Sequence, residues 1–450
     1  MQRLVTALIL LAPALHAADE IPGSQAKEKK KSAFEGVTKL LPPGSELKGV
    51  ILPSYDESRR LTGTVKAKVM RLVDADTMSG ETIHIDFFNG DRTKSGRAEL
   101  AEALFHSDRG MIESWSAVSL DSDSMHARGS GLVLDLEKSE GVLLGPLQTW
   151  APSKNQETAM NSKSKSLRAA GLVGAVLVSQ ALAEPAAPPS AESAKKDMAA
   201  ALEQSNAANA KAKAFLENAG LAAADVKAPE EPAAKPLDIK AGPDDTVVNC
   251  DGGMYFNPDE GVFVYMKNVR VTDPRFNMSG ANELKIFLEK ASPEELQKKL
   301  EKRQKERAEK AKAAGKEVPP VQNEKIEDLD FRDKFGDPEK IVATGAILVE
   351  QKPKDEKNEK ERKDPIKASG AVFMYDMNKK LAVISGGYPW VTQGGLAFRA
   401  KEPDLSLRIY PEASRFETEG NWENILPLKQ LQEENKKRKE EKDAQGKPNR

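Results

Sequence analysis

Two apolar runs separated by a tight polar turn recur along this chain, and the repetition favours a fold of paired strands. One such unit occupies residues 103–112, with the turn around Asp108 and Gly110, and related units occupy residues 132–143, 254–263 and 373–383. Glycine, aspartate and asparagine at such turns accept the positive φ angles that tight hairpins require. The sequence therefore predicts a series of short antiparallel hairpins.

Within these runs apolar and polar residues alternate, which is typical of a strand with one buried face. Ile83, Ile85 and Phe87 share one face of such a strand, and His84 and Asp86 lie on the other. The same alternation relates Leu132, Leu134 and Leu136, and again Leu405, Leu407 and Ile409. Successive short hairpins at this spacing favour a mainly β fold of stacked antiparallel sheets, a jellyroll or sandwich, over a propeller with longer and more regular blades.

The start of the chain has the pattern of a secretory signal peptide over residues 1–17. Arg3 supplies the positive region, Leu4–Leu15 forms the apolar core, and Leu15-His16-Ala17 is an acceptable cleavage site. Cys250 is the only cysteine, so no intrachain disulfide can form. We therefore expect an exported protein whose fold is stabilised by packing and strand pairing.

Runs of charged and small residues divide the chain into two globular blocks with solvated segments between them. The charge is balanced overall, with 68 Lys and Arg against 70 Asp and Glu, so no general field attracts nucleic acid. The predicted organisation is a disordered lead over 18–45, a first block over 46–150, a linker over 151–240, a second block over 244–425 with charged insertions at 293–316 and 352–367, and a charged tail over 429–450.

A second signal-like pattern lies inside the linker, over residues 160–183. Met160 is followed by Lys163, Lys165 and Arg168, and then by an apolar run over 169–183 that is shorter than the roughly 20 residues of a spanning helix. Three interpretations remain open. The segment is a second cleavable signal joining two exported polypeptides, with a new N-terminus near Glu184, or it is a membrane anchor, or it is a buried helix.

Two further segments have the composition of helices. Ala194–Ala219 is rich in good helix formers but shows only a weak apolar stripe, which predicts a frayed helix within the linker. Pro293–Lys316 follows Ser292, which can cap it, and has two glutamates where the helix dipole is positive. Beyond Leu300 this second helix lacks an apolar face, so we expect it to project into water.

The chain shows no arrangement of residues typical of an enzyme. Its histidines are His16 in the signal and His84, His106 and His126, which lack the spacing of metal ligands. Nucleophile elbows, zinc-protease motifs and glycine-rich phosphate loops are absent from the sequence. The basic runs have no interleaved aromatic residues for stacking on nucleic acid. We therefore expect no enzymatic activity, no cofactor, no metal and no nucleic-acid partner.

The hairpin units resemble those of the periplasmic lipopolysaccharide-transport proteins LptC and LptA, the OstA-like β-jellyroll family. Residues 46–150 resemble LptC in "LKGVILPSYD", "IHIDFF", "ALFHSDRGMIES" and "MHARGSGLVLDLEKSEGVLLGP". Residues 341–420 resemble LptA in "IVATGAILVEQ", "IKASGAVFMYDMNKKLAVISGGYPWVTQ" and "LSLRIYPEASRFETEG", and residues 246–290 look like a further unit. The resemblance covers about half of the chain and departs from the family at the charged helix, the long tail and the internal signal-like segment.

The resemblance implies a V-shaped jellyroll whose apolar interior binds the acyl chains of lipopolysaccharide. It also implies that jellyrolls join edge to edge by strand pairing, that Lpt-type jellyrolls and an inner-membrane transporter are partners, and that the protein works in the periplasm, with inner-membrane association left open. The candidate inward-facing, lipid-binding residues are Ile83, Ile85, Phe87, Leu132, Leu134, Leu136, Val262, Val264, Leu405, Leu407 and Ile409. The alternative is a secreted structural or adhesive β-repeat protein with a solid core and no lipid ligand.

Overall fold

The computed structural model describes residues 42–55, 61–88, 94–122, 125–135, 140–151, 191–220, 241–257, 260–274, 276–313, 335–352, 364–411 and 415–425. Several sequence predictions lie outside these ranges. They are the signal over 1–17, nearly all of the lead over 18–45, the signal-like segment over 160–183, Leu136, most of the insertion over 352–367, and the tail over 429–450.

The described chain is mainly β, as predicted, and its 22 strands form one hydrogen-bonded antiparallel system. The strands of the first block are β1 (Glu46–Tyr55), β2 (Leu61–Leu72), β3 (Thr77–Phe88), β4 (Lys94–His106), β5 (Met111–Ser114), β6 (Val118–Ser122), β7 (His126–Gly129), β8 (Gly131–Asp135), β9 (Glu140–Leu144) and β10 (Leu147–Ala151).

The second block supplies the remaining strands. They are β11 (Thr246–Cys250), β12 (Gly253–Asn257), β13 (Val262–Thr272), β14 (Phe276–Lys290), β15 (Phe335–Gln351), β16 (Lys367–Asp376), β17 (Leu381–Ser385), β18 (Trp390–Gln393), β19 (Leu396–Ala400), β20 (Ser406–Tyr410), β21 (Arg415–Thr418) and β22 (Trp422–Ile425). Helix α1 (Ala191–Asn218) precedes β11, and helix α2 (Pro293–Ala313) lies between β14 and β15.

The strands form two ladders that run side by side along the molecule. Ladder A contains the short strands β5, β8, β9, β12, β17, β20 and β21, and ladder B contains β6, β7, β10, β11, β18, β19 and β22. The long strands β1–β4 and β13–β16 contribute one half to each ladder. The arrangement is the jellyroll predicted from the hairpin pattern.

The long strands bend where they pass from one ladder to the other, and we call this line of bends the spine. In β13 the backbone turns at Lys267 and Asn268, whose φ angles are 61° and 48°. Its neighbours turn at Gly280 in β14 and at Gly345 in β15, and the pairing register shifts at the same places. A β-bulge bends a strand and increases its local twist, so aligned bulges fold the sheet into a V.

The interior of the V is one continuous apolar core. Ladder A contributes residues such as Leu143 and Phe263, and ladder B contributes residues such as Ala127 and Val248, to the same buried cluster. Because successive side chains of a strand point to opposite faces, the next residues along ladder A face outward. The two ladders therefore face each other across a shared interior.

Helix α1 differs from its sequence prediction, because it is packed along its whole length rather than frayed. It lies on the outer face of ladder A in a second apolar cluster with residues such as Tyr255 and Val383. Its buried residues are Ala194, Met198, Ala201, Ser205, Ala208, Ala212, Phe215, Leu216 and Ala219. Most of these are alanine, which contributes little to an apolar stripe, although their spacing of three and four residues is that of a packed helix face.

Helix α2 begins with the cap that the sequence indicated. The hydroxyl Oγ of Ser292 accepts a hydrogen bond from the Glu295 backbone N–H at 3.3 Å, and the Glu295 carboxylate accepts one from the Ser292 backbone N–H at 2.9 Å. This reciprocal pair is a capping box. Leu300 is buried, and Leu296 is half-buried, so the apolar contacts described for this helix lie in its first two turns.

We expect helix α2 beyond Leu300 to be dispensable for folding, since its sequence there offers almost no apolar side chain to bury. Replacing residues 303–316 by a short Gly/Ser loop should leave the thermal midpoint nearly unchanged. Circular dichroism melting of the two proteins measures this. A matched replacement that also removes Leu300 should lower the midpoint, and a large loss from the first replacement alone would contradict the prediction.

Candidate functional site

The candidate site is the apolar interior between the two ladders. In the first block Ile83 and Ile85 are buried there, and Phe87 is half-buried against the same core. Leu132 and Leu134 also face the interior, and each retains 8% of its surface exposed, whereas Ile83 retains none. The structure therefore places these five candidate residues on one continuous surface.

In the second block the candidate residues are divided between two faces. Leu407 and Ile409 lie in the interior, and Leu405 is buried just before β20. Val262 and Val264 do not face the interior, contrary to the sequence prediction. They lie on the outer face of ladder A, beneath helix α1, while their neighbours in β13 point inward.

Several interior residues were not among the sequence candidates, and most of them are aromatic or large. They are Phe263, Tyr265, Leu284, Ile286, Phe373, Tyr375 and Ile384. Except for Leu284 and Ile286, which alternate with Glu283 and Lys285, they occur in runs that are apolar at every position, because ladder A is buried on both faces in this region. A continuous apolar run gives no period-two signal, so the sequence could not show which residues face inward.

The interior is filled by these side chains in the state that the structure describes. Tyr265 is almost completely buried, and its hydroxyl forms a hydrogen bond with the Thr149 hydroxyl at 3.1 Å. Burial raises the pKa of the Tyr265 phenol, so the group stays neutral. Cys250 lies beside them, and burial raises the pKa of its thiol to about 11. The Tyr265 hydroxyl and the Cys250 thiol are therefore uncharged, and the side chains around them are apolar.

The interior passes without interruption from the first block into the second, across a region that we call the junction. In ladder A, β9 pairs with β12, from Gly141 opposite Phe256 to Leu144 opposite Gly253. In ladder B, β10 pairs with β11 along the whole of both strands. The two predicted blocks are thus joined edge to edge, and both ladders are continuous through the junction.

Side-chain hydrogen bonds connect the two blocks at the junction. The Tyr255 hydroxyl of the second block donates to the Glu140 carboxylate of the first. The Gln148 side-chain amide donates to the side-chain oxygen Oδ1 of Asn249 at 3.1 Å. A cleft of about 460 Å³ also opens at the junction, between residues of both blocks that include Arg128 and Arg270. The strand pairs and the two hydrogen bonds fix the lateral register of one block on the other.

The outer face of the first block is charged, as the alternation in β3 predicted. Burial alone would raise the pKa of the Asp86 carboxyl, but hydrogen bonds from Lys94, Arg97 and Lys66 outweigh it and hold the pKa well below its usual range. The three distances are 2.7, 3.0 and 3.0 Å. These four charged groups therefore lie outside the V, on the face opposite to Ile83 and Ile85.

None of the helices in the described ranges is both long and apolar enough to cross a membrane. In the same part of the chain, no three histidine, cysteine, aspartate or glutamate side chains are grouped as metal ligands.

No known family model matches the chain, and no curated protein matches it in sequence. Twelve chains of solved structures match it in structure. One is LptH of Pseudomonas aeruginosa, described as the LptA-homologous periplasmic component of the lipopolysaccharide transport device. It is 15% identical, and the match covers 40% of this chain and 94% of LptH with a TM-score of 0.25. A likeness at this level supports no functional conclusion. The functional conclusion therefore rests on the geometry of the chain itself.

Proposed function

We propose that this protein is a non-enzymatic periplasmic component of lipopolysaccharide export, which holds the acyl chains of its ligand between the two ladders. The observation that supports this most is the continuity of one apolar interior through both blocks. Ladder A runs from β1 to β21 through fifteen strands, which at about 4.8 Å per strand makes the interior roughly 65 Å long.

The filled interior requires the ladders to separate before a lipid can enter. The chain crosses between the ladders along the spine, in the long strands and in short connections such as Ser130 and residues 251–252. On the opposite rim the described strands end in hairpin turns such as those around Gly110 and Lys380. We propose that the V opens at this rim, and that each buried CH₂ of an acyl chain then contributes about 0.8 kcal/mol, replacing the contacts that the side chains make with each other.

The two ends of the strand system would serve as the edges for partner jellyrolls. Among the described strands, β1 pairs only with β2, and its Ile51 side chain is 62% exposed. At the other end β21 and β22 each have one described neighbour. Unpaired backbone groups on an edge strand invite another strand. We propose that Lpt-type jellyrolls pair here, with an inner-membrane transporter as the source of the lipid.

Photo-crosslinking tests the proposal directly. A photoreactive amino acid at Leu134 or Leu407, which face the interior, should capture lipopolysaccharide in cells that produce it. The matched controls are His84 and Arg408, whose side chains lie on the outer faces of the ladders, where each meets a carboxylate of a neighbouring strand. They should give no adduct. Mass analysis of the crosslinked bands measures both results.

The second candidate function is a structural or adhesive β-repeat protein, and the filled interior is the observation that favours it. A permanently closed core predicts that the same probes give no lipid adduct and instead destabilise the fold, by about 1–3 kcal/mol for overpacking. Equal labelling of inward and outward positions would also contradict lipid transport, because it would indicate nonspecific adhesion. Adducts confined to Leu134 and Leu407 would exclude the structural alternative.

A further inference from the structure

Helix α1 crosses the strands of ladder A rather than following them. Its 28 residues make it about 42 Å long at 1.5 Å per residue, which is enough to cover eight or nine strands at about 4.8 Å each. Its buried positions repeat at three and four residues from Ala194 to Ala219. A single continuous face of the helix therefore lies on the sheet.

Polar contacts show the direction in which helix α1 crosses the second block. Near its start, Asp197 accepts a hydrogen bond from Lys379, in the turn between β16 and β17. Near its middle, Asn209 donates to Glu283 of β14. Two residues later, Lys211 meets Glu260, just before β13. The helix thus runs from the far end of the second block towards the junction.

The last turns of helix α1 lie over the junction itself. The ring of Phe215 packs against the ring of Tyr255 in β12, with 5.9 Å between their centres. Tyr255 is paired in register with Val142 of β9, which belongs to the first block. Leu216 and Ala219 are buried in the same cluster as four first-block residues. Those four residues are Met111, Val133, Val142 and Leu144.

We propose that helix α1 is a clasp that holds the first block against the second, so that the two remain one particle without a covalent connection through residues 152–190. The clasp covers the outer face of ladder A on both sides of the junction, and it adds apolar burial to an interface otherwise made by two pairs of strands. Because the helix is buried across both sides of the junction, its burial opposes the separation of the paired strand edges.

Helix α1 would hold the two blocks together whether the interior binds a lipid or is a closed core. The signal-like segment over 160–183 would have no part in holding them together. A break in the chain at that segment would leave α1 attached to the second block and still packed beside the first.

The test uses the full chain with a site for a specific protease placed between residues 152 and 190. After folding and purification the chain is cut, and the fragments are followed by size-exclusion chromatography during dilution. The uncut and cut proteins should elute together. If the wild-type fragments separate at once after cutting, the clasp is contradicted.

The deciding variant is Ala201→Glu with Ala208→Glu, because both alanines are buried beneath the helix. Burying two carboxylates without partners is strongly unfavourable, so the helix should leave the sheet and the cut fragments should dissociate at a concentration at least about a hundredfold higher. The matched control is Ala200→Glu with Ala207→Glu, the exposed neighbours of the same two alanines. It should behave as the wild type does.

A second variant, Phe215→Ala with Leu216→Ala, shortens only the end of the helix that lies at the junction. Its cut fragments should also separate more readily than the wild-type fragments, while the uncut protein keeps its β circular dichroism. If either variant folds and its fragments stay together as tightly as those of the wild type, strand pairing alone holds the junction and the proposal is wrong. If both variants fail to fold before cutting, α1 belongs to the core of the second block and the proposal is wrong as well.

Discussion

Replacing Gly253 by alanine should destabilise the protein by about 4 kcal/mol, one of the largest effects that a single methyl group can have here. Gly253 has a φ of 107°, and a Cβ at this position would lie 2.3 Å from the carbonyl oxygen of Leu143. The left-handed backbone costs an alanine about 1–2 kcal/mol, and overpacking adds about 1–3 kcal/mol. Because Leu143 belongs to the other block, the loss should appear first at the junction.

On the opposite side of the junction, Gly145→Ala should cost about 1–3 kcal/mol, for overpacking alone. A Cβ on Gly145 would lie 2.2 Å from the Asp251 carbonyl oxygen, across the same junction. The matched control is Gly44→Ala, where φ is 85° but no atom lies within 4 Å of the added methyl group. It should cost only about 1–2 kcal/mol, the backbone contribution alone.

Urea unfolding of the three variants, followed by circular dichroism and by tryptophan fluorescence, measures these differences. Trp150, one of four tryptophans, lies in β10 beside the junction, so local separation of the blocks should change part of the fluorescence signal. Equal losses for Gly44→Ala and Gly253→Ala would mean that backbone conformation, rather than the close approach of the two blocks, sets the cost.

Much of the fold could be predicted from the sequence because turns and alternation are local signals. The hairpin around Gly110 and the alternating face of Ile83 and Ile85 are found where the sequence placed them. The joining of the two blocks through β9 and β12 was not evident, because edge pairing depends on backbone groups that every residue carries. The glycines at 145 and 253 were the available signal, since both allow the blocks to approach closely.

The role of helix α1 was hidden because its buried face is built mainly from alanine. Ala201 and Ala208 are buried, yet a hydropathy scale gives them the same value as the exposed Ala200 and Ala207. Because the packing of this helix on the sheet was not predicted, the orientation predicted for Val262 and Val264 was wrong. Between Val262 and Met266, β13 is covered by the helix on one face and by the partner ladder on the other and is apolar at every position, so its inward face cannot be read from its sequence.

Helix α1 also covers a charged pair in β14, at two positions that the alternation of apolar and polar residues predicts to be exposed to solvent. Glu283 and Lys285 lie on the outer face of ladder A, opposite to Leu284 and Ile286, but helix α1 covers them and Lys285 is 0% exposed. Burial lowers the pKa of the Lys285 ammonium. Burial alone would raise the pKa of Glu283, yet hydrogen bonds from Lys285 and from Asn209 of the helix outweigh it and lower that pKa.

We therefore expect Glu283→Gln to destabilise the protein by about 3–5 kcal/mol at neutral pH, because it leaves a buried ammonium group without its counter-charge. Replacing both residues, as Glu283→Gln with Lys285→Met, should restore most of the lost stability, since no buried charge then remains. Denaturant unfolding of the two variants beside the wild type measures the difference. Equal losses in the two variants would show that the shape of the pair, and not its charge, is what the helix requires.

The pH dependence gives an independent check on the same pair. Because the pKa of Glu283 is lower in the folded state than in the unfolded state, its contribution is fully present above the unfolded value of about 4.3 and is lost as the pH falls below it. The wild-type protein should therefore lose stability more steeply between about pH 5 and pH 3 than the double variant does. Parallel curves for the two proteins would mean that Glu283 ionises alike in both states, and the buried pair would then contribute nothing to the seating of helix α1.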